Sequence, residues 1–440
     1  MLQNDKGGFV METKSKGKGQ KMLILLLMII SMCTIYVLPY LRYQFFTPLQ
    51  EAMGLAGETQ KYGNLVTVYG VMNILMYLPG GIIADRFNPK KLMVFSMISS
   101  GVLGLWMATW PGYEMLLLIH ILWGFTTVLT FWSTSVKVIN MLASSDEQGT
   151  MFGMLESGRG ILNMLLNFAW VGVFAMFANR GKLGMTVVVA AVSILMIISG
   201  VLLGFLLPPM DVDQTSNTSV KDSLKSLLGA FKLPITYILA AMIFVPSAIS
   251  ATGSYYAPYL ETAAGLSTVS SSTFSVIRST VIPVIAALTC TVIVKKLGRS
   301  SRLLFWACAV LVGLAVVLRF VPGTAPFLWP LMILMCLISF FCSCCRAVNW
   351  ALIDEAGTAK TMVGSVTGIA SLIGYLPDSF IHTMYGGWID SYDFTTAYNK
   401  IFTFCIIVVV AGTGFALLGE RIIKKRQAEL KAAAGASEKN

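Results

Sequence analysis

Long apolar runs separated by short polar breaks organise this chain. They fall near residues 22–46, 62–84, 92–110, 115–142, 150–178 and 184–207, then near 235–260, 269–295, 303–321, 326–352, 361–388 and 397–419. A helix of about 20 apolar residues crosses a hydrocarbon layer about 30 Å thick. The pattern predicts an all-α membrane protein with 12 transmembrane helices in two pseudo-symmetric six-helix bundles. The expected division is a tail over 1–21, a bundle over 22–207, a linker over 208–234, a second bundle over 235–420 and a tail over 421–440. Within the polar linker, the stretch from Lys221 to Lys225 is compatible with a short surface helix, and Asn217-Thr218-Ser219 is a glycosylation sequon without meaning if the loop is cytoplasmic.

Composition sharpens this picture. The 440 residues are 56% hydrophobic and 12% charged, with a mean hydropathy of +0.75. Soluble domains carry about a quarter charged residues, so the solvent of this chain is lipid and no large soluble domain fits. The net charge of +11 is gathered in clusters between apolar runs, as topology signals are, which argues against nucleic acid. Those clusters are Lys14 to Lys21, Arg86 with Lys90 and Lys91, Lys295 to Arg302, and Arg421 to Arg426. All fall on one side if both termini are inside, with Arg180, Lys182 and Arg319 as exceptions. A multi-pass membrane protein with both ends cytoplasmic is expected. The apolar run after Met1–Lys21 has no small-residue cleavage site, so the first helix is expected to stay. Eight cysteines lie inside apolar runs with no second Cys/His group, so they are expected to pack, with no metal and no cofactor.

The two halves also echo each other. Gly149-Thr-Met-Phe-Gly153 aligns with Gly364-Ser-Val-Thr-Gly368 at an offset of 215, and Asp85-Arg86-Phe87-Asn88 with Lys295-Lys296-Leu297-Gly298 at 210. Near-equal offsets predict parallel repeats with a binding site between them.

A charge in the hydrocarbon costs at least about 2.5–3.5 kcal/mol and normally faces a protein interior or a wet cavity. The third, sixth and twelfth runs carry no interior charge, and the ninth only Arg319 near its end, so these four are expected at the periphery. Charged or titratable groups lie instead on the first (Arg42), fourth (His120, Lys137), fifth (Glu156, Arg159), eighth (Arg278), tenth (Arg346) and eleventh (Asp378, His382) runs.

Each has two readings. Arg159, three residues after Glu156, either neutralises it or offers a guanidinium to an anion, with Gly153, Gly158 and Gly160 allowing close helix approach. Arg346 is a second anion contact or the partner of Asp354 or Glu355; Arg278 gathers anions or pairs with Asp378. Asp378 and His382, four apart on one face, suit proton coupling, or Asp378 balances a buried arginine. His120 reads as a packing residue. Tyr36, Tyr40, Trp132, Lys137, Tyr255, Tyr256, Tyr259, Asn349 and Tyr375 are candidates to finish the cavity, and Pro39, Pro258 and Pro377 to interrupt their helices.

The loop after the second run reads Gly81-Ile-Ile-Ala-Asp85-Arg86-Phe-Asn88-Pro-Lys90-Lys91. It resembles the major facilitator signature Gly-x-x-x-Asp-Arg-x-Gly-x-Arg/Lys-Arg/Lys except at Asn88, which is expected to keep the tight bend by tolerating a left-handed conformation. The resemblance implies that Asp85 lies against the start of the eleventh helix and that Arg86 completes a charge cluster locking the cytoplasmic side. Gln148-Gly-Thr-Met-Phe-Gly, Gly364-x-x-x-Gly368…Gly374-Tyr375 and Tyr385-Gly-Gly-Trp-Ile-Asp390 resemble the organophosphate:phosphate antiporters and related anion transporters. Thr34-Ile-Tyr36-x-Leu-Pro39, Met107…Pro111-Gly-Tyr113, Glu156-Ser-Gly-Arg159-Gly-Ile161 and Arg346-Ala-Val348 are similar to an enteric inner-membrane transporter type associated with sulfosugar breakdown. Those antiporters clasp phosphate between arginines on the first and seventh helices. Here Arg42 is shifted by two positions and the seventh run has no arginine, whereas Arg159 falls where the family sets a substrate-contacting histidine.

The resulting expectation is a monomeric secondary transporter of a small organic anion (sugar phosphate, sulfonate or carboxylate), working by alternating access and coupled to a proton, sodium or counter-anion. Arg159 is the first anion ligand, with Arg346, Arg42 and Arg278 behind it. The alternatives are a drug or organic-cation exporter using Asp378 and Glu156, and a non-transporting sensor. No nucleotide-binding loop and no nucleophile, metal or paired-acid constellation occurs, so an enzyme is not expected.

Overall fold

The computed structural model of the chain describes residues 18–142, 148–207 and 228–437. The linker residues 208–227, with the sequon and the expected surface helix, and most of the N-terminal tail lie outside the described residues.

Among the described residues twelve helical passages follow one another, called here spans 1 to 12. Span 1 is Lys18–Thr34 with a continuation at Phe46–Ala52; span 2 is Thr59–Arg86, span 3 Pro89–Met107, span 4 Tyr113–Leu142, span 5 Gln148–Ala175 and span 6 Gly181–Leu206. Span 7 is Pro234–Gly253 continued by Tyr256–Ala264, span 8 Thr268–Leu297, span 9 Ser300–Phe320, span 10 Leu328–Val348, span 11 Lys360–Gly374 continued by Ile381–Ser391, and span 12 Phe394–Ser437. Among the described residues eight helices are long and apolar enough to cross a membrane. Of the other four, spans 1 and 11 are broken, span 2 carries Asn64 and Asn73, and span 3 starts with two lysines.

The departures from an unbroken 12-helix reading have local causes. Span 1 stops at Thr34, whose hydroxyl turns back to the carbonyls of Ile30 and Ser31, and Pro39 cannot donate to a continuing helix. Arg42 therefore sits in a short 3₁₀ turn, Leu41–Tyr43, rather than on a continuous helix. Span 7 breaks just before Pro258, and span 11 breaks at a 3₁₀ turn, Leu376–Ser379, that contains Pro377. Span 12 runs past its basic cluster to Ser437 because five of the ten residues from Gln427 to Ala436 are Ala, the strongest helix former.

Packing repeats between the halves. Span 3 lies on 6 as 9 lies on 12, 1 on 5 as 7 on 11, 2 on 4 as 8 on 10, and 1 on 6 as 7 on 12. Between the halves span 2 lies along 11 and span 5 along 8. Large apolar side chains such as Phe205 on span 6 (81% exposed) and Phe320 on span 9 (75%) point outward, as a lipid-facing surface requires.

The cross-half contacts gather at the end away from the linker. The Asp390 carboxylate accepts from the N–H groups of Thr59 (2.9 Å) and Gln60 (2.7 Å), capping span 2 from span 11. The Thr383 hydroxyl meets Asn64 (2.7 Å) and Thr67 (2.9 Å), and Thr47 donates to Glu261 (2.6 Å). Gly63 and Gly70, two turns apart on span 2, lie directly against the backbone of His382 and Asp378. Any Cβ there would overlap main chain, which small residues at helix contacts avoid.

Candidate functional site

Two adjoining cavities lie between the halves. The smaller, about 330 Å³, is lined from span 1 by Tyr40, Tyr43 and Gln44 and from the second half by Arg278, Arg346, Asp378 and the serines Ser247, Ser250, Ser279, Ser339 and Ser343. The larger, about 730 Å³, shares Tyr40, Tyr375 and Asp378 with the first and reaches Leu228, Phe231 and Trp350 at the linker side, where all three are exposed.

Local backbone sets these side chains. Arg278 stands on a π-helical stretch, Ile277–Val281, where the extra residue per turn swings it out of helical register. Its guanidinium packs on the bare backbone of Gly253 and lies 5.4 Å from the Tyr256 ring; Nη1 reaches the Ser339 hydroxyl at 3.3 Å. Nε has no hydrogen-bond partner among the described residues. Arg346 is exposed to the cavity, and among the described residues it reaches the Pro246 carbonyl alone, at 3.4 Å. Among the described residues most donors of both guanidinium groups have no partner, which leaves them available to an anion. Neither pairs as the sequence allowed: no ion pair joins Arg278 to Asp378, and Glu355 instead caps span 9 through the N–H groups of Ser300 (2.5 Å) and Ser301 (3.0 Å).

Asp378 sits in the break of span 11. It accepts from Tyr40 Oη (3.3 Å) and Tyr43 Oη (3.4 Å), and its Oδ1 is 4.0 Å from Nε2 of the buried His382. The His382 carbonyl accepts from Tyr255 Oη at 3.0 Å, and the two rings stack.

Of the residues singled out from the sequence, Tyr36, Tyr40, Trp132, Arg278, Arg346, Tyr375 and Asp378 line the cavities. Others stand elsewhere. Arg159 Nη1 is 2.6 Å from Glu156 Oε1, and neither residue lines these two cavities. Arg42 is 1% exposed, its guanidinium carbon 4.4 Å from the Tyr62 ring, 4.7 Å from Phe46 and 5.2 Å from Tyr255. Lys137 caps the end of span 2 by donating to the Ala84 carbonyl at 3.1 Å, which a lysine does where carbonyls lack helical partners. Tyr256 and Asn349 are buried outside the lining, and His120 is buried with Nδ1 2.8 Å from the Leu116 carbonyl.

In the loop after span 2, Asn88 differs from expectation. Its φ of −61° and ψ of 118° are extended, not left-handed, as the residue before a proline is steered to be. Its side chain accepts from Lys91 N (3.2 Å), so Asn stands there as the N-cap of span 3 with Pro89 at the first helical position. Lys90 donates to the Leu207 carbonyl at the end of span 6 (2.7 Å), and Arg86 and Lys91 are exposed. Gly81 is open on its Cβ side, and the side chain of Asp85 lies outside the described residues.

Sequence reasoning missed Tyr43, Gln44 and the serines. The signal was available for the serines: Ser339, Ser343 and Arg346 follow a four- and three-residue spacing on one face of span 10, as Ser247 and Ser250 do on span 7.

Comparisons agree with this architecture. The chain is 31% identical over 372 residues to the inner membrane protein YqcE of Escherichia coli (strain K12), covering 83% of this chain and 86% of that one. It is 27% identical over 410 residues to the inner membrane protein YihN of the same organism, covering 91% and 95%. Its fold is similar to the crystal structures of the nucleoside transporter NupG (TM-score 0.67, 14% identity, 92% and 99% covered) and of a bacterial homologue of the human lysosomal transporter Spinster in an inward-facing, unoccupied conformation (0.70, 14%, 93% and 99%). The family model of the Major Facilitator Superfamily matches residues 21–382, and the chain belongs to that superfamily of membrane transporters.

Proposed function

We propose that this transporter moves a small organic anion across the inner membrane by alternating access between its two halves, coupled to an ion gradient or to exchange. The observation that carries the reading is the charged cavity, where Arg278 and Arg346 face one carboxylate, Asp378. Two fixed positive charges and one ionised carboxylate leave a formal +1, and protonation of Asp378 raises it to +2. A sulfonate or carboxylate neutralises the first state and a phosphate dianion the second, so anion charge and a proton on Asp378 are linked. Tyr43 extends that link to His382. The cavity gives Arg278 and Arg346 precedence over Arg159, whose charge Glu156 already meets.

Orientation follows from the basic clusters at the linker side, which the positive-inside rule assigns to the cytoplasm. With both termini cytoplasmic, the seal of Asp390, Thr383 and Gly63 closes the outer side and the cavities open inward. The resemblance of the Asp-Arg-Phe-Asn-Pro loop to the organophosphate and sulfosugar-associated transporters supports an anion as cargo, with Asp85 and Arg86 as parts of an inner lock.

Uptake or counterflow in proteoliposomes with phosphorylated, sulfonated and carboxylated compounds tests the reading, comparing wild type with Arg346→Gln and Arg159→Gln. Anion flux is expected to fall at least about tenfold in Arg346→Gln, the worth of one charge-assisted contact, and less in Arg159→Gln. Flux of organic cations alone would favour the exporter alternative, and binding without flux a sensor.

A further inference from the structure

The charged cavity does not end at its arginines. Tyr40, Tyr375 and Asp378 also line the larger one beside it, whose wall has a different chemistry. Tyr36, Tyr77, Trp132, Phe231, Trp350 and Tyr375 supply aromatic faces from both halves, and Asp378 is the one charged side chain among the lining residues. Two of the phenols are already engaged: Tyr36 Oη donates to the Thr127 carbonyl (3.2 Å) and Tyr40 Oη to Asp378 (3.3 Å). For hydrogen bonds with a polyol the wall has little more than Asn73, Thr367 and Ser371 beside the remaining phenols.

A sugar moved into such a space leaves hydroxyls without partners, and each unmatched group is costly. A flat apolar body loses water readily and gains offset or edge contacts with aromatic walls. At about 730 Å³ the space is of the size that holds a drug-sized molecule. Its junction with the arginine cavity fixes the polarity of any occupant, head toward Arg278 and Arg346, body toward the linker side.

Resting on the anion-transport reading above, we infer that the substrate is an amphiphilic anion: a sulfonate, sulfate, phosphate or carboxylate head carrying an aryl body that lies among Tyr36, Trp132 and Tyr375. The head supplies recognition by charge, and the body supplies discrimination against compact hydrophilic acids and sugar phosphates. The inference selects within the anion class, because a head group alone would occupy the small cavity and leave the large one filled with water.

The test uses pairs sharing one head group in proteoliposomes of the full chain: phenyl phosphate against glycerol 3-phosphate, and naphthalene-2-sulfonate against 2-hydroxyethanesulfonate. The aryl member of each pair is expected to be taken up with at least about tenfold lower half-saturation. Trp132→Ala, and independently Trp350→Ala at the exposed mouth, where little packing is lost, should narrow that ratio several-fold. Equal or better transport of the compact members, with a ratio indifferent to both tryptophans, overturns the amphiphile inference while Arg346-dependent flux keeps the anion reading. Absence of flux for every anion, in protein that elutes as a folded species, overturns both.

Discussion

Tyr43 Oη stands 3.0 Å from His382 Nε2, so a residue of the first half is hydrogen-bonded to a buried imidazole of the second. The same hydroxyl lies 3.4 Å from Asp378 Oδ1 and spans the 4.0 Å gap between the two titratable groups. Asp378 lines the cavity and the His382 backbone lies against Gly63, so the phenol stands on a route between the cavity and the packed end of the halves. The route exists only while the halves are together at this end.

If that route carries the coupling proton, Asp378→Asn retains counterflow of substrate but loses the response to an imposed pH gradient. Tyr43→Phe slows gradient-driven uptake several-fold, the worth of one buried hydrogen bond at about 1 kcal/mol, with exchange little changed. Uptake by wild type that ignores the pH gradient in the presence of sodium or counter-anion sinks proton coupling.

Gly253 leaves room for the Arg278 guanidinium, which a Cβ at that position would overlap. Gly253→Ala therefore displaces the arginine from the cavity, and overpacking of this kind costs about 1–3 kcal/mol. Substrate affinity is expected to fall about tenfold or more. A thermal-shift measurement on the same protein separates a lost site from a lost fold; unchanged affinity would show that Arg278 does not touch the anion.

The contact of Gly63 with the His382 carbonyl has no slack. Gly63→Ala should hold spans 2 and 11 apart at that end and raise the thiol-labelling rate of a cysteine introduced nearby, at Thr67. Gly313→Ala on span 9, where nothing lies within 4 Å, is the matched control. Equal labelling in both variants argues that the seal does not open along this line.

Asp390 closes the same end from the other direction, with one oxygen on each of the first two N–H groups of span 2. A carboxylate at an exposed helix N-terminus contributes about 0.3–1 kcal/mol. Asp390→Ala should thus move the population toward the outward-open state two- to fivefold, read as inter-spin distance between labels at the ends of spans 2 and 11. A distribution identical to wild type would remove Asp390 from the latch.

Charge was the legible part of the site. Burying an arginine or aspartate in lipid is expensive enough that Arg278, Arg346 and Asp378 announced a cavity from their positions alone, and they meet in one. The repeat was legible in two motif pairs at near-equal offsets, Gly149–Gly153 with Gly364–Gly368 and Asp85–Asn88 with Lys295–Gly298, and the packing of the two halves repeats in the same order. Backbone breaks were not legible to that degree. Reading span 1 as one helix to residue 46 sent Arg42 toward the cavity and hid Tyr43 and Gln44, whereas the turn after Thr34 folds Arg42 into rings and aims its neighbours inward. Lys137 and Asp390 carry charges that serve helix ends, a use that depends on which helix end the fold brings near, and no local pattern states that.

Span 11 is two short rods meeting at Leu376–Ser379. The rod Lys360–Gly374 lies against span 7, while Ile381–Ser391 lies along span 2 of the other half. The two rods are therefore held by different partners, and the turn between them is where a change of angle within this span would fall. Opening such a protein resembles turning a jointed arm more than tilting a plank: labels on the two rods of this single span would report an angle that varies through the cycle, and rigidifying the joint would slow turnover without touching the cargo.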